Sequence, residues 1–257
     1  MFDFLIVNGR VVDGTGSPWF RGSIGIKTGK IRQIAIVKDE ASEIIDAEGL
    51  VVCPGFIDAH SHSDFVYLAN PSASFKVQQG VTTEVVGNCG FSAAPVPSRK
   101  NFFKIFQGYI EQISGGFQDI RWTTFREFLN RQERKGMAAN LRVLVGHGNL
   151  RITSMGMDDR APAEREISQM KRLLEEAIQR MTSLPAQRFR LLDRDLIRQG
   201  MAADIVIFDP KRIRDRSTYV DPCVPPDGVK YVFVNGQLAL RENVALSTSH
   251  GRVLVRR

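Results

Sequence analysis

The two ends of the chain share one pattern of apolar and polar positions, and the middle has another. At the start, short β-rich runs are separated by turn residues. Asp3–Val7 and Arg10–Asp13 flank Asn8-Gly9, a pair that tolerates the positive φ of a type I′ turn and so predicts a hairpin. After a Gly14-Thr15-Gly16-Ser17-Pro18 break, Ser23–Lys27 and Lys30–Ile36 predict a second hairpin across Thr28-Gly29. The tail has the same character, with a strand at Asp204–Asp209, another at Val229–Val234, a turn at Asn235-Gly236, and a return along Gln237–Arg241. Neither end has enough strands to bury a face alone, so residues 1–50 and 200–257 are expected to form one small composite β-sandwich.

Between them, residues 51–199 alternate strand and helix. Leu50–Ala59 is a nearly continuous apolar run ending at His60, the pattern of a strand buried on both faces. Pro71–Gln79 predicts a short helix stopped by Gly80, and Val81–Val86 a β-branched strand. Helical spacing marks Asn101–Ile113 and Thr124–Arg134, Leu141–Val145 reads as a third buried strand, and Ala161–Gln179 is amphipathic. The apolar positions of that last helix, Ile167, Met170, Leu174, Ala177 and Ile178, fall on one face. Strands alternating with helices imply a parallel sheet. The fold class is therefore α/β, with about three β/α units of a partial TIM barrel plus the composite sandwich.

Composition narrows the function classes. With 43% hydrophobic and 25% charged residues, the chain is globular rather than disordered. The net charge of +7 is concentrated in residues 180–257, where 14 basic side chains meet 8 acidic ones. No basic run is interleaved with aromatics, so these arginines read as solvated surface and no nucleic-acid partner is expected. The opening MFDFLIVNGR carries Asp3 and only a four-residue apolar run, which predicts neither a signal peptide nor a membrane span. Cys53, Cys89 and Cys223 lack the spacing of a disulfide framework, which fits a reducing, cytoplasmic setting.

The chemistry concentrates where predicted strands end. Asp58-Ala59-His60-Ser61-His62-Ser63-Asp64 follows the first apolar run and holds two of the four histidines. Side chains two apart on a strand point the same way, so His60 and His62 are placed to present nitrogens to one zinc ion. Gly87-Asn88-Cys89-Gly90-Phe91-Ser92 follows the second strand, and a thiolate there, between glycines, suits a metal ligand. Cys53 and Cys223 have no such setting and read as packing residues. His147, in Val145-Gly146-His147-Gly148, ends the third strand and could be a ligand, a substrate contact or a satisfied core histidine, a role beside the metal or toward the substrate being the one expected. Asp64 lies close to the histidine pair.

These motifs, with Val52-Cys53-Pro54-Gly55-Phe56-Ile57 before them, Gly80-Val81-Thr82-Thr83 between them, and Gly200-Met201-Ala202-Ala203-Asp204 and Tyr231-Val232-Phe233-Val234-Asn235-Gly236 in the tail, resemble the N-acyl-D-amino-acid deacylases (D-aminoacylases) of the amidohydrolase superfamily. The similarity covers nearly every residue. It implies zinc as cofactor, His60 and His62 as metal ligands, and Cys89 as the cysteine ligand that separates this branch from relatives using a carbamylated lysine. It implies that Asp64 orients an imidazole rather than acts as base. It implies hydrolysis of N-acyl-D-amino acids, with water activated at the metal and an aspartate moving the proton. Hydantoinase-like and dihydroorotase-like amidohydrolases are the alternative, disfavoured by Cys89.

A full (β/α)8 barrel takes about 250 residues, whereas Leu50 to Ala203 spans about 150. The Ala161–Gln179 helix matches the family's third barrel helix and Arg180–Phe189 the segment after its eighth strand, so five strands are expected to be missing at that seam. The resemblance puts the remaining zinc histidines and the proton-moving aspartate on those strands, and no residue here is assigned as catalytic. A non-catalytic remnant that binds zinc weakly and does not turn over substrate is the expectation, with a working D-aminoacylase-type hydrolase rebuilt by association of several chains, or a β-sandwich interaction module, as the competing readings. Self-association through the exposed edge of the open sheet is expected as well.

Overall fold

The computed structural model describes residues 1–35, 40–181, 197–209, 211–212, 216, 224–246 and 249–252. Cys223 lies outside them, as do Pro185 and all of the expected Arg180–Phe189 segment beyond Met181. The chain divides into two compact units, Met1–Ile57 with Ser72–Thr83 and Leu191–Gly251, and Asp58–Pro71 with Glu84–Arg190 and Arg252–Arg257.

The first unit contains a nine-stranded sheet. Its strands are β1 (Phe2–Val11), β2 (Phe20–Lys27), β3 (Lys30–Ala35), β4 (Ala41–Asp46) and β5 (Val51–Pro54) from the start of the chain, and β9 (Ile205–Phe208), β10 (Val229–Val234), β11 (Gln237–Arg241) and β12 (Val244–Ala245) from the tail. The order is β12-β11-β10-β9-β5-β1-β2-β3, with β4 also pairing with β1. The two ends of the sequence meet where β5 runs antiparallel to β9, Val51 opposite Phe208 and Pro54 opposite Ile205. Inward residues from both ends, among them Ile6, Ile24, Val52, Ile205, Ile207 and Phe233, form one apolar core.

Thr28-Gly29 and Asn235-Gly236 make the expected hairpin turns, all four residues having positive φ. The two turns touch: a Cβ on Gly236 would lie 2.4 Å from the Gly29 Cα. Asn8-Gly9 does not turn. β1 continues through it with a register shift between Ile6 and Gly9, a bulge in which Asn8 takes φ 62° and its side-chain amide donates to Asp46 Oδ1 at 2.9 Å. Local turn propensity loses here to pairing along the whole strand, with β4 on one side and β2 on the other.

Leu50–Ala59 is likewise not one strand. It breaks at Gly55 into β5 and β6 (Phe56–Asp58), which belong to different sheets. Phe56 and Ile57 are 38% and 37% exposed, so the apolar run is not buried on both faces throughout. Gly55 permits a close approach no other residue would allow, since a Cβ there would sit 2.2 Å from Thr82 Oγ1.

β6 begins a three-stranded sheet in the order β6-β7-β8, with β7 at Val81–Val86 and β8 at Asn140–Val143. The short helices α1 (Val66–Ala69) and α2 (Phe75–Gln78) lie between β6 and β7, and α3 (Lys100–Ser114) and α4 (Phe125–Lys135) between β7 and β8. α4 starts with a capping box in which Thr124 and Glu127 satisfy each other's backbone amides. α5 (His147–Met155) and α6 (Glu164–Met181) follow β8, and α6 runs without a break across Gln179-Arg180. Ile167, expected on its buried face, is 39% exposed. The outer edge of β8 is not bare as expected: the Leu141 N–H donates to the Arg252 carbonyl at 3.1 Å, and all four β8 residues are buried.

Before α6, Arg160 grips Glu166 through two hydrogen bonds of 2.8 and 2.7 Å, and the Ala163 N–H donates to Glu166 Oε2 at 2.7 Å. The Arg160 hydrogen bond first, and the Ala163 amide next, hold the Glu166 carboxyl down to about 2. A carboxyl lowered by folding contributes stability above its unfolded value and loses it as pH falls through the folded value. Arg160→Gln is therefore expected to move the Glu166 titration up toward the ordinary carboxylate range. A carboxyl-carbon NMR titration checks this, and an unmoved midpoint would contradict it.

Candidate metal centre

The histidine pair lies just past β6, on a bend rather than on the strand itself. Asp58 Oδ1 accepts from the His60 N–H at 3.1 Å, and Ser61 donates its N–H to the Val85 carbonyl at 2.9 Å. Asn88 Nδ2 donates both to the Ser61 carbonyl at 3.1 Å and to the Val85 carbonyl at 2.8 Å. The His60–His62 segment is thus stitched to the end of β7 by backbone as well as side chain.

Cys89 arrives from that same strand end on a tight loop. Gly87, Cys89 and Gly90 have φ of 84°, 55° and 83°, so the left-handed conformation is met twice by glycine and once by the cysteine itself. The ligand-bearing atoms of His60, His62 and Cys89 all lie within 4.8 Å of one another. His60 Nε2 and Cys89 Sγ are 3.2 Å apart, close to the ~3.5 Å that two ligands of a tetrahedral zinc show at bond lengths of about 2.1 and 2.3 Å. The His60 and His62 rings stand edge to face with centroids 5.4 Å apart. His62 Nδ1 is buried with no hydrogen-bond partner, an orphaned polar atom of the sort a metal or ordered water satisfies. Two borderline nitrogens and a thiolate suit zinc rather than magnesium or calcium. Among the described residues no other group of three such side chains comes together.

The remaining expected site residues stand apart from the cluster. Asp64 is fully buried, and neither carboxyl oxygen completes a hydrogen bond of normal geometry, so it does not orient either imidazole. Burial pushes its carboxyl up to about 7, against the pull of the Asp64 and Gly87 backbone amides. His147 is exposed, does not join the cluster and is the first residue of α5 rather than the end of a strand. What adjoins the cysteine loop is the backbone around it. The Gly148 N–H donates to the Gly90 carbonyl at 3.1 Å, the Gly146 N–H donates to Ser92 Oγ at 3.0 Å, and Asn149 bonds both backbone groups of Ser92. Cys53 is buried, and burial pushes its thiol up to about 12, as befits a packing residue.

One residue was not singled out by sequence patterns. Glu84, at the centre of β7, is fully buried and accepts from Ser61 Oγ at 2.7 Å, Ser63 Oγ at 2.8 Å and Tyr67 Oη at 2.5 Å. The available signal was a carboxylate inside a β-branched run, Val81-Thr82-Thr83-Glu84-Val85-Val86, which requires buried donors.

The model of the amidohydrolase family matches residues 43–172 and 169–239, and the chain belongs to that family. The two matched stretches overlap at residues 169–172, inside α6. Within the family the sequence is of the D-aminoacylase type. Over 181 residues it is 37% identical to an N-acyl-D-aspartate deacylase of Alcaligenes xylosoxydans xylosoxydans, covering 69% of this chain and 34% of that protein. A D-aminoacylase of the same organism is 35% identical over 178 residues, 69% of this chain and 36% of the relative. The chain thus spans about a third of the length of the curated relatives it matches. Among solved structures, an N-acyl-D-glutamate deacylase from Bordetella bronchiseptica, complexed with zinc and a phosphonate inhibitor, is similar with a TM-score of 0.80 at 18% identity, covering 98% of this chain and 99% of that one. A D-aminoacylase crystal structure gives a TM-score of 0.82 at 17% identity, covering 100% of each. At that identity the likeness is one of fold, a mixed α/β fold shared with these amidohydrolases. Among the described residues, no helix is long and apolar enough to cross a membrane.

Proposed function

We propose that this chain carries the His-Ser-His and cysteine part of a D-aminoacylase-type zinc site, binds zinc there, and by itself does not hydrolyse N-acyl-D-amino acids at an enzymatic rate. The observation that carries this reading is the convergence of His60, His62 and Cys89 within 4.8 Å. Bound zinc would supply Lewis-acid activation of water for attack on an amide carbonyl. The chain's residues would do the holding: His60 and His62 from one loop and Cys89 from the next. The stretch after β7 fixes the thiolate through its left-handed backbone.

Proton transfer to the leaving amine requires a base within hydrogen-bond reach of the reacting water. The buried carboxyl nearest in sequence, Asp64, completes no hydrogen bond of normal geometry, and Glu84 is occupied by three hydroxyls. A positioned general base is typically worth about 10²–10⁴ in rate.

The test is metal analysis and turnover on one preparation of the full chain. About one zinc per chain, lost in His60→Ala, is expected, together with hydrolysis of N-acetyl-D-methionine at background level. Turnover of ordinary enzymatic size that His60→Ala abolishes would overturn the inactive half of the proposal. Absence of zinc binding would overturn the other half.

A further inference from the structure

We propose that Glu84 is the positioning residue of the metal loop, holding His60 and His62 in register with Cys89 through the hydroxyls of Ser61 and Ser63. The inference rests on the zinc-site reading above. It goes further by assigning a role to a carboxylate that touches neither the metal cluster nor, in this structure, any of its ligand atoms.

The geometry points to this role by alternation. In His60-Ser61-His62-Ser63 the two histidines bring their rings to the Cys89 thiol while the two serines turn to Glu84. Both serine hydroxyls donate to the same oxygen, Oε2, at 2.7 and 2.8 Å, which brings them to 3.0 Å from each other. The second oxygen, Oε1, takes the Tyr67 hydroxyl at 2.5 Å. Tyr67 is itself fully buried. Burial, and then the nearby Glu84, raise its phenol well above the ordinary value, which favours the protonated, donating form.

Glu84 belongs to β7, and the loop carrying Cys89 begins three residues after it. One rigid strand therefore fixes the thiol directly and the imidazoles through Ser61 and Ser63. Consecutive Cα atoms are about 3.8 Å apart, so a serine held at its hydroxyl leaves the adjoining histidine little room to swing. Ser61 is held at its N–H and carbonyl as well, and Glu84 supplies the constraint that backbone bonds cannot, the rotation of the segment about its own axis. A buried carboxylate is costly without donors, and here the hydroxyls of Ser61, Ser63 and Tyr67 all donate to it, which ties the loop to the strand in one geometry.

The experiment is titration of the metal-free full chain with cobalt(II), followed by visible and near-ultraviolet absorption, alongside thermal melting. Wild type is expected to give the thiolate-to-cobalt band of Cys89 together with the intense d–d bands of a four-coordinate site. Glu84→Leu is expected to lower cobalt affinity by about 10–100-fold, the range for loss of groups that orient metal ligands, and to weaken the d–d bands while the thiolate band persists. Glu84→Gln keeps a carbonyl oxygen for the two serines and is expected to restore most of the affinity and the d–d intensity. The double variant Ser61→Ala, Ser63→Ala leaves Glu84 in place and is expected to reproduce the spectrum of Glu84→Leu, and it decides the matter if Glu84→Leu does not fold. Variants that melt earlier yet bind cobalt with the wild-type spectrum would overturn the inference and leave Glu84 as a packing group. Glu84→Gln no better than Glu84→Leu would overturn it too, because acceptor geometry is the claim. A wild-type chain that binds no cobalt would instead remove the zinc site itself, and this inference with it.

Discussion

Replacing Gly87 with alanine is expected to unseat the cysteine loop and abolish metal binding while leaving every ligand in the sequence. Two independent effects combine. Gly87 has φ +84°, and an added Cβ would lie 2.2 Å from the Leu144 carbonyl oxygen. A left-handed residue with a Cβ costs about 1–2 kcal/mol, and overpacking about 1–3 kcal/mol more. The obstructing atom is backbone, and it cannot rotate away. Leu144 is fixed, because its own N–H donates to the Val86 carbonyl at 2.8 Å. The loop between Val86 and Gly90 must therefore move, taking the Cys89 thiol with it. The expected result is a fall in stability of about 3 kcal/mol in urea unfolding, with zinc stoichiometry near zero. Wild-type unfolding and full zinc content in Gly87→Ala would refute this account of the loop.

The second large effect is expected in thiol chemistry. In metal-free protein, iodoacetamide should modify Cys89 and spare Cys53, and one equivalent of zinc should protect Cys89. Cys89 is exposed and Cys53 buried. With its thiol pushed up to about 12, Cys53 holds roughly one thiolate in 10⁴ or fewer at neutral pH, and the thiolate is the reactive form. Peptide mapping by mass spectrometry distinguishes the sites. Rates at Cys89 indifferent to zinc would mean that the metal does not engage the thiol, and fast labelling of Cys53 would mean that its burial is not maintained in solution.

Where local chemistry and long-range pairing agreed, the sequence was readable. Thr28-Gly29 and Asn235-Gly236 turn as their composition requires, and β7 occupies the same six residues that β-branched patterning indicates. The cluster of His60, His62 and Cys89 was also legible, because each motif follows a strand and strand ends in such folds gather side chains. Legibility failed where a distant partner decided the outcome. Asn8-Gly9 has the composition of a hairpin but lies between two neighbouring strands that keep β1 continuous. The run from Leu50 reads as one strand but is divided at Gly55 by the nearness of Thr82, which no periodicity reveals. Asp64 was associated with the metal by proximity in sequence and His147 by its place after a strand; the first is a buried carboxyl without a hydrogen bond to either imidazole, and the second is the start of a helix. Glu84 was not legible because a single acidic residue within a β-branched strand does not name its donors, and these come from the loop carrying Ser61 and Ser63 and from Tyr67 in α1, about twenty residues earlier.

The left-handed Cys89 has an implication for how this site can drift. A non-glycine residue at φ 55° carries a standing penalty of about 1 kcal/mol, tolerated only while its side chain is useful. A glycine at this position would relax the backbone and make the metal-free protein sturdier. Selection on folding alone would therefore pull position 89 away from cysteine, and on the zinc-site proposal selection for the metal would oppose it. On that proposal, loss of the ion would remove the one benefit that offsets the strain at Cys89, whereas neither His60 nor His62 has a positive φ and neither would come under the same pressure.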